Sequence, residues 1–132
     1  RAILGRAPKS LLVAAKEEEA ARVAEARKAK AIQVSAKVAV VESPAWGFDV
    51  WYAEVAPVIV AYVAINGNVT IGCADAELAE RFFGPGGFKN VFADLKPEGW
   101  GGREAIGGSP RGVKLTREDA IAAARTIAAA VR

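Results

Sequence analysis

The chain has 132 residues, 52% of them hydrophobic and 25% charged, which suits one domain with a real core and excludes a disordered chain. A net charge of +3 and a pI of about 9.2 permit an anionic partner without demanding one. The absence of histidine removes the commonest general base and transition-metal ligand together, and the single cysteine, Cys73, excludes an internal disulfide and favours a reducing, cytoplasmic setting.

Residues 10–32 are predicted to form one helix, with Ser10 as its N-cap and Glu18–Arg22 as an i,i+4 ion pair. Its apolar stripe is thin and mostly alanine. It is read as a connector helix within residues 1–36, ahead of a domain spanning 37–132. The acidic run Glu17–Glu19 points to different sides of a helix and reads as a solvated face, not a metal site.

"KVAVVE" (37–42) reads as a buried strand closed by Pro44, and residues 46–56 as a helix that places Trp51 and Val55 on one face. Trp46 and Trp51 are assigned to core packing. "VIVAYVAI" (58–65) and "VTIGC" (69–73) flank Asn66-Gly67, the strongest short-range hairpin signal in the chain. The uncharged run from Val55 to Ala74 is interrupted by Pro57 and "NGN", so no membrane span is expected. Cys73 ends an apolar strand and reads as a small buried hydrophobe.

Asp75 is a candidate N-cap for "AELAERFF", whose Leu78, Ala79 and Phe82 share a face, and Gly84-Pro85 stops it. "GGFKNVFADL" is a short helix or turn. "RGVKL" (111–115) reads as a last strand. Thr116 with Asp119 forms a capping-box signature that opens a helix to Val131, with Ile121, Ala124, Ala128 and Val131 as its stripe. The expected fold is α/β: a mixed sheet of four to five strands with helices on both faces.

The densest chemistry lies in "GWGGREAIGGSPRG" (99–112), which holds six of the thirteen glycines. Trp100, Ile106 and Pro110 make it an ordered loop rather than a tether. Paired glycines at Gly101-Gly102 and Gly107-Gly108 let a backbone curl its amides into an anion-binding nest. Arg103 and Arg111 supply guanidinium forks that match phosphate, and Ser109 a hydroxyl. Trp100 is a candidate for base stacking, for walling the pocket or for plugging the sheet end. The rivals are a structural turn that binds nothing and arginines spent in surface ion pairs.

This motif, with "RFFGPGGFKNVF" and the hairpin "VIVAYVAINGNVTIGC" before it, resembles the C-terminal DHH-associated domain of DHH-family phosphoesterases, especially archaeal RecJ-like members. The likeness spans roughly residues 37–132. It implies a mixed α/β domain behind an N-terminal DHH catalytic domain, whose aspartates and histidines bind manganese or magnesium. The implied ligand is a nucleotide or single-stranded nucleic acid. By resemblance, Gly101, Gly102 and Arg103 fall on the family's Gly-Gly-His position, and Gly107 and Gly108 on the glycines that follow. Arginine in place of histidine cannot lose its proton, which favours clamping over proton transfer. No catalytic residue, cofactor or metal ligand is assigned to this chain, and it is not expected to hydrolyse anything alone. A protein-interaction or homodimerisation module is the alternative, as is a tRNA-associating domain like that appended to alanyl-tRNA synthetases. The chain also lacks methionine and is expected to be part of a longer or processed polypeptide. Its Ala-, Val-, Glu-, Lys- and Arg-rich composition resembles that of thermophilic proteins.

Overall fold

The computed structural model describes residues 9–43 and 47–132. The order of elements is α1 (Lys9–Arg27), β1 (Lys30–Gln33), β2 (Val38–Glu42), α2 (Phe48–Glu54), β3 (Val58–Val63), β4 (Asn68–Cys73), α3 (Ala76–Phe83), two 3-10 turns (Gly87–Asn90 and Phe92–Asp94), β5 (Gly101–Gly102), β6 (Ile106–Gly108) and α4 (Arg117–Ala130). The strands form one mixed sheet in the order β1-β2-β3-β4-β6-β5. β2 and β3 run parallel, joined across α2, and the other four pairings are antiparallel. The α/β class is as expected, with six strands where four to five were predicted.

Helices cover both faces because the central strands bury both sets of alternating side chains. Val38 and Val40 of β2, Val58, Val60 and Tyr62 of β3, and Val69, Ile71 and Cys73 of β4 share one cluster with residues of α3 and α4. The interleaved Ala39, Val41, Ile59 and Ala61 face the opposite way, against Phe48, Val50 and Trp51 of α2 and Ala26 of α1. Cys73 is buried, and burial pushes its thiol pKa up.

Local signals place most elements correctly. Asp75 accepts the Leu78 amide at 2.7 Å, and Thr116 and Asp119 form a reciprocal capping box. The Asn66-Gly67 hairpin forms, but as a four-residue loop closed between Val63 and Asn68, with Gly67 at φ +70°. The buried face of α4 is Ala120, Ala123, Ala124 and Ile127; Ile121, Ala128 and Val131 pack only partly against the core.

Four expectations need correction. The first helix stops at Arg27, and Lys30–Gln33 pairs with Ala39–Glu42 as an edge strand. The gain from completing a ladder outweighs the small helix preference of "KAIQ". Ser10 lies inside that helix rather than at its cap, and Arg22 pairs with Glu19 at 2.6 Å and Asp49 at 3.0 Å rather than with Glu18. Residues 111–115 form no strand, because β3 and β4 each already have two neighbours. Instead the Leu115 amide donates to Gly67 O at 2.9 Å, and the Tyr62 hydroxyl donates to Leu115 O at 3.3 Å. Trp51 is a core residue as expected; Pro44 and Trp46 lie outside the described residues.

Candidate functional site

The glycine segment folds as a hairpin at the free end of the sheet. Gly101 pairs with Gly108 and Gly102 with Gly107, and β6 docks on β4. Its main-chain amides are largely spent on that pairing. Arg103 N donates to Ile106 O at 2.6 Å and Ser109 N to Val69 O at 2.9 Å. At the turn, Glu104 O accepts from Phe88 N and Ala105 O from Cys73 N, each at 2.8 Å. The expectation of a concave amide nest over 101–109 is therefore corrected: strand pairing, not an open cup, shapes this backbone.

The glycines serve close approach. A Cβ on Gly107 would meet the Phe92 ring at 2.5 Å, and one on Gly102, where φ is +151°, would meet Gly107 Cα at 2.5 Å. Gly108 has only an ordinary contact with Val69 O, and a Cβ at Gly101 would meet nothing within 4 Å. Gly101 and Gly112 are thus the glycines of the motif whose surroundings are open, Gly112 at a φ of +77°. Because Arg103 N bonds Ile106 O across the turn, strand alternation leaves the main-chain groups of Gly102 facing away from β6.

Arg103 stands exposed at the hairpin turn, and Arg111 in the turn that follows β6. Among the described residues neither guanidinium makes an ion pair within 4 Å. The rival assignment of these two arginines to surface salt bridges is not met there. Ser109 is a sheet clamp: its Oγ accepts the Val69 amide at 3.0 Å.

Trp100 is 7% exposed and belongs to the main core, yet it also lines a cleft of about 520 Å³ with Lys89, Phe92, Ala93, Glu98 and Gly99. Its Nε1 is buried with no hydrogen-bond partner among the described residues. The cleft adjoins the hairpin. Lys89 Nζ lies 3.7 Å from Glu104 Oε1, and Phe92 underlies Gly107. The Glu104 carboxyl is held below the usual range by its own main-chain N–H and by Lys89. Lys89, Phe92 and Glu98 carry no local signal in the sequence. Their convergence depends on the 3-10 turns folding back beside residues 98–100.

Among the described residues no three His, Cys, Asp or Glu side chains converge to hold a metal ion. No helix among them is long and apolar enough to cross a membrane. In comparison with known proteins, no family model, curated protein or solved structure matches the chain.

Proposed function

We propose that this chain is a phosphate-binding domain for a nucleotide or single-stranded nucleic acid, the substrate-holding part of a DHH-type phosphoesterase or RecJ-like nuclease. The hydrolytic chemistry belongs to a catalytic domain of the parent protein, and this domain grips the substrate. The observation that carries the reading is Arg103, exposed at the turn of a glycine hairpin on the sheet edge and making no ion pair within 4 Å among the described residues, although the neighbouring Glu104 feels its charge. A free guanidinium beside main chain stripped of side chains lets a phosphate approach closely and be held through two N–H donors. Arg111 adds a second unpaired cation beyond β6, and the net charge of +3 favours an anion over the whole surface.

The grip is electrostatic and requires no proton transfer, since arginine stays charged at every physiological pH. Binding to a short labelled single-stranded oligonucleotide, followed by fluorescence anisotropy at low salt, tests it. Arg103→Ala should weaken binding about tenfold or more, as one charge-assisted hydrogen bond is worth ~1.5–3 kcal/mol. The slope of log affinity against log salt should become shallower by about 0.7, as expected when one phosphate contact on a single strand is lost. Equal affinity of wild type and Arg103→Ala would overturn the reading.

A further inference from the structure

We infer that the cleft beside the hairpin, lined by Lys89, Phe92, Ala93, Glu98 and Trp100, is a subsite for the purine base of a mononucleotide whose phosphate sits at Arg103. This rests on the phosphate-binding reading and names the ligand more closely.

Four observations converge on it. The cleft holds about 520 Å³, inside the ~300–1,000 Å³ range of small-molecule sites. Phe92 and Trp100 give it two aromatic walls, the surfaces on which any base stacks. Lys89 and Glu98 give it one donor and one acceptor. An ammonium suits the N7 and O6 acceptors of guanine, and a carboxylate suits its amino and imino N–H groups. Finally, Lys89 on the cleft pairs with Glu104, the neighbour of Arg103, and Phe92 packs under Gly107, so the cleft borders the hairpin that carries the phosphate subsite.

The polar groups are available. Lys89 is tied to Glu104 at 3.7 Å and Glu98 to Lys96 at 3.8 Å, both through long, exposed pairs that a ligand displaces readily. The buried indole N–H of Trp100, without an acceptor among the described residues, marks this wall as the place where the fold leaves a polar group unspent.

The test uses the full chain, three probes and one blocking variant. Affinities for GMP, guanosine and ribose 5-phosphate are measured by calorimetry for wild type and Ala93→Leu. Ala93 is exposed on the cleft wall, so leucine fills the space without disturbing the core. GMP should bind wild type at least tenfold more tightly than ribose 5-phosphate, and Ala93→Leu should erase that advantage while leaving ribose 5-phosphate binding unchanged. Ribose 5-phosphate binding with no gain from the base, or GMP affinity that Ala93→Leu leaves untouched, overturns the base subsite and spares the phosphate reading. Guanosine binding that Ala93→Leu abolishes, without any ribose 5-phosphate binding, supports the base subsite and overturns the phosphate reading. Failure of all three probes to bind overturns both.

Discussion

The ring of Phe92 lies against the main chain of Gly107 so closely that a Cβ there would stand 2.5 Å from Phe92 Cε1 and 3.0 Å from Gly101 O. One contact thereby ties the second 3-10 turn to β6 and fixes the floor between the cleft and the hairpin.

Gly107→Ala must push the Phe92 ring or open the β5–β6 pair, and overpacking of this kind costs ~1–3 kcal/mol. Gly101→Ala, with open space around its Cβ, should change stability by less than about 0.5 kcal/mol, as surface substitutions usually do. Urea unfolding of both variants separates the glycine that packing requires from the one that packing does not. A loss of oligonucleotide binding in Gly101→Ala at full stability would point to close ligand approach at that position.

Trp51 anchors the first helix to the sheet. Its Nε1 donates to Ala26 O at 2.9 Å in a buried contact, and its ring meets Phe48 edge-on at a centroid distance of 5.2 Å. Trp51→Phe removes the donor and leaves a void, for a combined loss of about 1–3 kcal/mol. Hydrogen exchange should show the effect first in residues 17–27, whose hold on α2 otherwise includes Val23, Ala26 and the exposed pairs Arg22–Asp49 and Arg27–Glu54. Unchanged protection of that segment in the variant would contradict this anchoring role.

Arg22 reaches both Glu19 and Asp49, and its hydrogen bonds hold the two carboxyls below the ordinary carboxylate range. A carboxyl with a lowered folded-state pKa stabilises the fold above its unfolded pKa, near 4, and loses that contribution as pH falls through the folded value. Wild type should therefore exceed Arg22→Leu in urea midpoint at pH 7, with the gap closing by pH 2.5. The pairs are exposed, so the gap is small and narrows with added salt. A gap of constant size across that range would assign the difference to packing of the Arg22 stem instead.

The caps show which parts of the fold can be read locally. Asp75 and the Thr116/Asp119 box were legible because a cap satisfies amides three residues away, well within a sequence window. The valine-rich runs of β2, β3 and β4 were legible because burial on both faces demands near-continuous apolarity. Lys30–Gln33 was not: its residues suit a helix, and only the neighbouring β2 edge makes it a strand. Nor were Lys89, Phe92 and Glu98 legible as a group, since no periodicity links a 3-10 turn to the loop before β5.

The sequence by itself determined the α/β class, the helix caps, the hairpin after β3 and the concentration of glycine and arginine between 99 and 112. Tertiary structure alone decided that those glycines form an edge hairpin rather than an amide nest. The reason is physical: glycine imposes no pattern of its own, so its amides go to whichever carbonyls the fold presents. Here β4, more than thirty residues upstream, presents them first.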